Sequence, residues 1–488
     1  MPHAAPPSDS SSGARPDYDR LIVGSGSAGV AAAIRGSELG ATVAIVEGAD
    51  VIGGTCVNVG CIPSKNLIEA AHAYHTARTG FPGIAPCEPR LAWAEVMRQK
   101  REIVQRLRKE KYGDVLQSYD RITLLRGRAE LRDERAREGM AVRVGERNLL
   151  ARRVLIATGS RPHAPPIPGL AESGALDSTT AMELEQLPRS LLVLGAGSIG
   201  LELGQVFQRF GVRVTVVEAI DRVLPGEGQD VSRVLAAALE AEGMALHTGA
   251  RVTRVIRAPQ GVRVLVERNG LTSELEAESL LVATGRIANT ESLGLRAAGV
   301  RTDDRGHVVV NGHMRTSNPR VFAAGDVTGG PGFVYVAALQ GGIAAEAALA
   351  YLTGATPAEA DLRAVPRVTF TDPQVAAVGL TDAEAKTAGI AATATSLDLE
   401  HLPRAMVSHR RSGIITLVAE SGTDRLLGAH VVAPNAGDLI GEAVLAVRFG
   451  LTTRDIVSTL HPYLTWGEGL KLAAQTFTRD VTKLSCCA

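Results

Sequence analysis

Two cysteines in the first part of the chain are the residues best suited to chemistry. Cys56 and Cys61 are separated by four residues, and Pro63, which suits the first turn of a helix, follows them. A thiol near a helix start has a lowered pKa, which favours nucleophilic exchange. A structural disulfide or part of a zinc site is the alternative, but the segment lacks the matching histidine cluster of a zinc site. The pattern therefore predicts a redox-active cysteine pair.

The end of the chain carries a second pair, Cys486 and Cys487, which are adjacent in a polar tail. Exposed free thiols are an oxidation liability, so an incidental pair is the weaker interpretation. Soft metal ions prefer thiolates to nitrogen or oxygen ligands. The two pairs together predict a substrate that is bound by thiolates. Cys87 stands alone, and we expect a small buried or half-buried thiol there.

A strand, a Gly-rich turn, a helix and a second strand follow one another twice along the chain. The glycines and the acid that ends the second strand are Gly24, Gly26, Gly29 and Glu47 in the first copy and Gly195, Gly197, Gly200 and Glu218 in the second. Such glycines let backbone N–H groups approach a pyrophosphate, and the acid accepts hydrogen bonds from ribose hydroxyls. Because both copies are complete, the sequence predicts two dinucleotide sites in Rossmann-like domains.

The positions of the two copies predict which cofactor each one binds. The first copy directly precedes the cysteine pair, so it should hold FAD, and the second should hold the nicotinamide. Glu218 pairs well with a free 2′-hydroxyl and repels a 2′-phosphate, which favours NADH. Arg222, four residues later, could pair with a phosphate and keeps NADPH open.

Short apolar strands that end in glycine-containing turns add further candidates. One strand ends at Thr158-Gly159 and another at Gly285, and each follows one of the two fingerprints. A third ends at Gly325-Asp326, where a carboxylate could hold the ribityl chain of a flavin. We expect the first and third turns to contact FAD and Gly285 to contact the nicotinamide cofactor.

Lys65 and Glu202 form a candidate ion pair. Lys65 follows the thiols by one helical turn, and Glu202 lies just beyond the second fingerprint. An ion pair beside the flavin would help to hold its electron density, so both are catalytic candidates. A plain surface salt bridge would look identical in the sequence.

Composition limits the classes of function. A chain of 488 residues with 45% hydrophobic and 21% charged residues indicates a globular protein of several domains. A net charge of zero gives no indication of nucleic acid or an anionic membrane surface as partner. The N-terminal residues lack the apolar core of a signal peptide, and no apolar run of about eighteen residues predicts a membrane span. We therefore expect a cytoplasmic protein.

The segment from Gly53 to Lys65 resembles the redox-active segment of the flavoprotein disulfide reductases. Both Gly fingerprints, both Ala-Thr-Gly strands and the Gly-Asp turn occur in the order of that family. The resemblance covers nearly the whole chain from about Tyr18 onward. It implies that Gly54 and Thr55 also contact FAD, as does Lys65.

The C-terminal segment is similar to that of one branch of this family, the mercuric reductases. The matching residues are Pro462 to Thr465, Glu468 to Phe477 and Leu484 to Cys487. The resemblance implies a homodimer that reduces Hg(II) to Hg(0) with electrons from NAD(P)H, in active sites shared between subunits.

The same resemblance implies roles for the cysteines as metal ligands. Cys486 and Cys487 would collect Hg(II) from small thiol complexes and deliver it to Cys56 and Cys61 of the other subunit. Tyr463 would lie near the bound metal and assist this transfer.

The expected fold class is α/β, with two Rossmann-like dinucleotide-binding domains and a C-terminal α+β dimerisation domain. The predicted limits are 1–17 for a disordered leader, 18–161 and 289–352 for the two parts of the FAD-binding domain, 162–288 for the NAD(P)H-binding domain and 353–488 for the dimerisation domain with its Cys-Cys tail.

His461 departs from the pattern of relatives that oxidise dithiols. Those carry a glutamate five residues after the histidine, whereas here that position is Trp466 and the acid is Glu468. The alternative function is that of dihydrolipoamide dehydrogenase. Glu218 and His461 favour this alternative, whereas the displaced acid and the Cys-Cys tail argue against it. A protein that only sequesters a metal is a further alternative, against which the two nucleotide sites argue.

No cysteine precedes Cys56, so we expect the separate N-terminal metal-binding domain of many mercuric reductases to be absent.

Overall fold

The computed structural model describes residues 15–132 and 139–483. The strands are β1 Tyr18–Val23, β2 Val43–Glu47, β3 Ile122–Arg126, β4 Ala129–Leu131, β5 Met140–Val144, β6 Arg147–Ile156, β7 Ser160–Pro162, β8 Ser190–Leu194, β9 Arg213–Val217, β10 Ala245–His247, β11 Arg251–Ala258, β12 Gly261–Arg268, β13 Leu271–Ala277, β14 Ser279–Val282, β15 Arg286–Ala288, β16 Val321–Ala323, β17 Arg367–Thr369, β18 Gln374–Gly379, β19 Ala392–Asp398, β20 Ile414–Glu420 and β21 Leu426–Ala433.

The α-helices are α1 Ser27–Glu38, α2 Gly54–Val59, α3 Cys61–Thr79, α4 Trp93–Arg108, α5 Asp114–Gln117, α6 Ser178–Ala181, α7 Ser198–Arg209, α8 Gln229–Ala241, α9 Val334–Thr353, α10 Asp382–Thr387, α11 Pro403–Val407, α12 Ala436–Phe449, α13 Thr453–Ser458 and α14 Glu468–Gln475. A π-helical turn spans Lys109–Gly113, and 3₁₀ turns span Asp326–Thr328, Leu399–His401 and Val481–Lys483.

The chain folds into two compact units. The first unit contains the described parts of Met1–Asn58, Ile103–Arg161 and Arg286–Ala360. The second unit contains the described parts of Val59–Glu102, Pro162–Gly285 and Asp361–Ala488. The predicted domain limits, which concern cofactor binding and dimerisation, stay predictions.

The first unit is built on a seven-stranded sheet in the order β3-β2-β1-β6-β5-β4, with β16 also paired to β6. The strands β1, β2, β3, β6 and β16 are parallel, whereas β4 and β5 join in antiparallel fashion. The apolar runs Leu21–Val23 and Val43–Val46 are buried, as is usual for parallel strands covered on both faces. This unit contains the first predicted βαβ copy and confirms it.

Helix α9 packs tightly against α1 in the first unit. It is the one helix among the described residues that is long and apolar enough to cross a membrane by length and composition. A Cβ atom at Gly341 of α9 would lie 2.2 Å from the carbonyl oxygen of Ala28, so the two helices approach as closely as glycine permits. Such close packing against a neighbouring helix is typical of a helix in the core of a folded unit.

The described part of the second unit contains three sheets. A parallel sheet in the order β10-β9-β8-β14 carries the second βαβ copy, with helix α7 between β8 and β9. A three-stranded antiparallel sheet, β11-β12-β13, follows, and the C-terminal part forms a five-stranded antiparallel sheet in the order β17-β18-β21-β20-β19. Helices α12 and α14 join that last sheet in one apolar cluster. The predicted α+β texture of the C-terminal region is therefore present.

Candidate functional site

The first Gly-rich turn connects β1 to α1 in a conformation that requires glycine. Gly24 has φ +107°, and a Cβ there would lie 2.4 Å from the carbonyl oxygen of Ala157. A Cβ at Gly29 would lie 2.0 Å from the carbonyl oxygen of Gly24. The N-cap of α1 is Gly26, which has no side chain to bond the first N–H groups of the helix. The turn therefore suits an anionic group at the helix N-terminus.

Glu47 lies at the end of β2 and is bonded to this turn. Its carboxylate accepts hydrogen bonds from the Ser25 N–H (3.0 Å), the Ser25 hydroxyl (2.5 Å) and the Ala49 N–H (2.8 Å). A carboxylate has about four acceptor positions, so capacity remains for a ribose hydroxyl. Ser25, which sequence reasoning missed, also accepts the N–H of Gly53 at 3.1 Å.

Helix α2 begins against the same turn. Gly54 has φ +64°, and a Cβ there would lie 2.7 Å from the Cα of Gly26. The first turn of α2 contains Thr55, which is exposed, and Cys56, which is half-buried. Local packing therefore places α2, the helix that contains Cys56, beside the first Gly-rich turn.

Cys61 is the first residue of the 19-residue helix α3 and is half-buried. The boundary between the two units passes between Asn58 and Val59, so Cys56 and Cys61 belong to different units. Pro63 lies within the first turn of α3, as predicted. The positive end of a helix dipole favours the thiolate form of a cysteine at this position.

Asp326 begins the 3₁₀ turn that follows β16. Its Oδ2 accepts the hydroxyl of Ser160 at 2.6 Å, and the Ser160 oxygen in turn accepts Nε–H of Arg286 at 2.8 Å. Gly325, with φ +80°, donates its N–H to Oε1 of Gln340 at 2.8 Å. The carboxylate is thus held in a fixed orientation at the end of a parallel strand, where ligands of such sheets bind.

Thr158 and Gly159 lie beyond the end of β6, which stops at Ile156 rather than at the predicted Gly159. The Thr158 hydroxyl donates to the carbonyl oxygen of Asn289 at 2.7 Å, and the Asn289 N–H donates to the carbonyl oxygen of Gly159 at 2.9 Å. The strand before Gly285 likewise ends early, at Val282. In both cases the last three predicted residues lie in the following loop, where Gly159 and Gly285 have φ values of +66° and +129° that an extended strand does not adopt.

The second Gly-rich turn connects β8 to α7. Gly195 has φ +107°, and a Cβ there would lie 2.6 Å from the carbonyl oxygen of Ala283. A Cβ at Gly200 would lie 2.1 Å from the carbonyl oxygen of Gly195, whereas one at Gly197 or Gly285 would meet nothing within 4 Å among the described residues. The turn therefore has the shape that lets a pyrophosphate approach the backbone.

Glu218 directly follows β9 and is bonded to the second Gly-rich turn. Its carboxylate accepts the N–H of Ala196 at 2.8 Å and the N–H of Ile220 at 2.9 Å. Arg222 is directed into its own loop, where Nη2–H donates to the carbonyl oxygen of Pro225 at 2.9 Å and Nη1 lies 3.2 Å from Oδ1 of Asp221.

Lys65 and Glu202 form the predicted ion pair, with 2.7 Å between Nζ and Oε2. The Glu202 side chain is 8% exposed, and its Oε1 accepts the N–H of Phe370 at 2.9 Å. Nζ of Lys65 lies 4.3 Å from the centre of the Phe370 ring. The carboxylate of the pair is therefore buried within the second unit, whereas the Lys65 side chain is 33% exposed, so the pair differs from the plain surface salt bridge that the sequence left open.

His461 has a carboxylate partner that sequence reasoning missed. Its side chain is 5% exposed, Nε2 lies 2.8 Å from Oε1 of Glu442, and Nδ1 lies 2.9 Å from the carbonyl oxygen of Thr459. Each ring nitrogen therefore faces an oxygen atom, which fixes the orientation of the imidazole. Glu442 precedes the histidine by 19 residues on α12, so the local spacing gave no signal for it.

Tyr463 lies in the turn before α14 and is 49% exposed. Leu464, next to it, has φ +59° and donates its N–H to Oε2 of Glu468 at 3.3 Å. Glu468 is buried at the first position of α14. It therefore supports the turn that carries Tyr463.

The remaining cysteines differ from each other. Cys87 is exposed, which corrects the expectation of a buried or half-buried thiol. It lies in the loop after α3, where residues 81–88 are all exposed. Cys486 and Cys487 lie outside the described residues. Within the described ranges, no group of three or more His, Cys, Asp or Glu side chains is arranged to hold a metal ion.

Comparison with protein families gives two matches. The family described as pyridine nucleotide-disulphide oxidoreductase matches residues 18–341. The dimerisation domain of the same family matches residues 365–474. The expected fold class is confirmed.

Comparison with individual proteins gives close relatives. The mercuric reductase of Staphylococcus aureus is 44% identical over 97% of this chain and 84% of its own length. That of Streptomyces lividans is 45% identical over 96% of this chain and 98% of its own.

Among solved structures, the HOCl-induced flavoprotein disulfide reductase RclA from Escherichia coli has a TM-score of 0.81 at 28% identity, covering 93% of this chain and 98% of that one. LpdA from Mycobacterium tuberculosis has the same TM-score and identity, covering 94% and 100%. With relatives this similar over nearly its whole length, the chain belongs to the mercuric reductase family of pyridine nucleotide-disulphide oxidoreductases.

Proposed function

We propose that this protein reduces Hg(II) to Hg(0) with electrons from NAD(P)H, by way of FAD and the pair Cys56 and Cys61. The observation that carries the proposal is the identity of 43–45% to proteins named mercuric reductase in Staphylococcus, Streptomyces and Acidithiobacillus, over 96–97% of the chain. These relatives support Hg(II) reduction over the alternative of dihydrolipoamide oxidation.

The chemistry of the cysteine pair supports this substrate. Hg(II) is a soft ion that prefers thiolates, and two thiolates can hold it linearly. Addition of two electrons converts the bound ion to Hg(0), which leaves as a neutral atom while both sulfurs remain as thiolates. The position of Cys61 at the start of α3 favours the thiolate that this binding requires.

The described residues of the first unit fit FAD. The α1 N-terminus with its three glycines would hold the pyrophosphate, Glu47 the ribose, and Asp326 the ribityl chain. Gly54 and Thr55, at the start of α2, and Thr158 and Gly159, in the loop after β6, would complete the contacts. The bound flavin supplies two-electron transfer between reduced nicotinamide and the cysteine pair.

The second unit fits a nicotinamide dinucleotide, and we favour NADH. Gly197 and Gly285 leave open space beside the backbone, as a pyrophosphate needs. Glu218 is held by two backbone N–H groups and presents negative charge where a 2′-phosphate would lie. Arg222, the group that could offset this charge, is bonded within its own loop.

Lys65 and Glu202 are proposed to act beside the flavin. The carboxylate of Glu202 fixes the cation of Lys65 one turn beyond Cys61 on α3. A fixed positive charge near a flavin stabilises the electron density that builds up on reduction.

The tail is proposed to supply the metal. Cys486 and Cys487 would bring Hg(II) to Cys56 and Cys61 of the other subunit by thiolate displacement, with the exposed Tyr463 nearby. The family of the C-terminal region is a dimerisation domain, which supports a homodimer. The cytoplasmic location stays a prediction.

The direct test is turnover by the purified holoenzyme given NADH and Hg(II) in excess small thiol, measured as release of mercury vapour. Cys56→Ser and Cys61→Ser should abolish the release while NADH still bleaches the flavin. Cys87→Ala is the matched control, because it removes an exposed cysteine and should leave turnover unchanged. Turnover of lipoamide with no reduction of Hg(II) would contradict the proposal.

A separate variant tests the tail. Replacing both Cys486 and Cys487 by Ala should slow turnover of Hg(II)–thiol complexes and spare reduction of other acceptors. Unchanged turnover of those complexes would show that the tail does not deliver the metal.

A further inference from the structure

Two arginines lie side by side in the sheet of the first unit. Arg20 of β1 and Arg153 of β6 are register partners in a parallel pair of strands. Side chains at the same register of neighbouring strands share one face and start about 5 Å apart. Like charges in such a pair repel each other, so this arrangement calls for a compensating charge.

Both guanidinium groups have a buried donor without a partner. Arg20 is 7% exposed, and neither its Nη1 nor Nε of Arg153 has a hydrogen-bond partner within the ranges that the structure describes. Burial lowers the pKa of Arg20 to about 10, which still leaves the group charged at neutral pH. A buried charged donor that lacks an acceptor is strongly unfavourable.

The two arginines line the same small cavity. It has a volume of about 20 Å³, which is more than the roughly 10–15 Å³ that one water molecule requires. The remaining walls are formed by β1, β6 and β16 on the sheet side and by α1 and α9 on the other, with the residues Ile22, Ala32, Val154, Leu155, Phe322, Ala344, Ala345 and Ala348. All of these residues are apolar, so none of them supplies a side-chain acceptor.

The charges around the cavity are predominantly positive. The pKa of Arg153 is lowered by burial and then by the charges of Arg320, Arg315 and Arg152. The negative charge of Asp19, adjacent to Arg20, offsets part of the effect of burial on the pKa of Arg20. The Asp19 oxygens are bonded to other groups, since Oδ1 lies 3.1 Å from Nε of Arg152 and Oδ2 accepts the Thr42 N–H at 2.9 Å. The cavity therefore combines excess positive charge with unused N–H donors.

We propose that this cavity is a binding site for one small inorganic anion, of the size of chloride, held between Arg20 and Arg153. The anion accepts the two unused N–H groups and offsets the repulsion of the register pair. None of the residues that line the cavity belongs to the proposed FAD, nicotinamide or metal sites, so the site is independent of the proposed function. Because only the folded unit offers it, the bound anion stabilises the fold.

The test is thermal unfolding of the holoenzyme in sodium chloride and in sodium gluconate at equal ionic strength, since gluconate is too large for the cavity. Chloride should raise Tm in a saturable manner relative to gluconate. Arg20→Met should abolish this difference, whatever its own Tm. Arg106→Met, an exposed arginine of α4, is the matched control and should keep the difference.

Two further measurements test the site without relying on the folding of Arg20→Met. Arg153→Met should lose the same chloride dependence, and a bromide-soaked crystal should show an anomalous peak between the two guanidinium groups. Equal Tm in chloride and gluconate for the natural protein, or a bromide map without that peak, would overturn the site. Stabilisation by phosphate alone would overturn its assignment to a monatomic anion.

Discussion

The two Gly-rich turns have nearly the same backbone conformation but differ in the residues that surround them. Gly24 and Gly195 share φ +107°, and a Cβ would lie 2.4 Å and 2.6 Å from the opposing carbonyl oxygen. A Cβ at the third glycine would lie very close to the carbonyl oxygen of the first glycine in the same turn. The distance would be 2.0 Å at Gly29 and 2.1 Å at Gly200. The glycine pattern therefore determines the shared backbone.

The surroundings of the two turns differ in three ways. Gly54 packs on the first turn, whereas the space at Gly197 of the second is open to 4 Å among the described residues. Glu47 is bonded by a serine hydroxyl as well as by backbone, whereas Glu218 is bonded by backbone alone. Helix α7 carries the buried Glu202 where α1 carries Ala31. An enclosed turn suits a resident flavin, and an open one suits a nicotinamide that exchanges at each turnover.

The largest expected effect comes from alanine at the third glycine. Gly29→Ala places a Cβ against a carbonyl oxygen and should yield protein without flavin, whereas Gly200→Ala should keep the flavin and lose reduction by NADH. Flavin absorbance and anaerobic NADH titration distinguish the two. Gly342→Ala, where a Cβ meets nothing within 4 Å, should behave as the natural protein. Flavin loss from Gly200→Ala instead would reverse the assignment of the two copies.

Glu202→Ala makes α7 resemble α1 at the position of Ala31. It leaves Lys65 without its buried partner and should lower the free energy of unfolding by about 2 kcal/mol, since the lysine remains partly solvated. Urea unfolding measures this loss. Glu240→Ala, at an exposed site on α8, should cost less than about 0.5 kcal/mol. Equal losses in both variants would mean that the ion pair contributes nothing measurable.

Glu218→Ala tests which ribose the second turn accepts. Removal of this carboxylate should reduce the preference for NADH over NADPH, expressed as the ratio of kcat/KM values, by about tenfold. Steady-state rates with both nucleotides give the ratio. Glu185→Ala removes an exposed carboxylate of the same unit and should leave the ratio as it is. A preference for NADPH in the unmodified protein would refute the proposed role of Glu218.

The smallest effect concerns the serine that distinguishes the first turn. Ser25→Ala removes the hydroxyl between Glu47 and Gly53 and should weaken FAD binding by about fivefold, in keeping with one lost hydrogen bond. Titration of apoprotein with FAD measures the change. The reciprocal variant Ala196→Ser should leave FAD binding unaltered. A weakening as large as that of Gly29→Ala would show that the serine, and not the glycine backbone, controls the site.

Local patterns in the sequence predicted much of this fold. The glycines and the acids that end the second strands predicted both βαβ copies. The comparisons confirm the identification of a mercuric reductase. The ion pair of Lys65 with Glu202 was also predicted, although 137 residues separate the partners.

Features that depend on register or on distant packing were missed. Glu442 reaches His461 from α12, and the pairing of Arg20 with Arg153 depends on which residues of β1 and β6 are neighbours. Neither relation leaves a trace in local spacing. Cys87 was placed wrongly because the tendency of cysteine to be buried does not hold in an exposed loop. The roles of the tail and the domain limits stay predictions.

The turn that carries Tyr463 is restrained on both sides. His461 is bonded to Glu442 before it, and Glu468 accepts the N–H of Leu464 after it. A half-exposed ring on a restrained turn has already lost most of the backbone freedom that contact with a ligand would otherwise remove. Any molecule that meets this ring therefore encounters a preorganised surface, and its affinity is reduced less by ordering than it would be on a mobile loop.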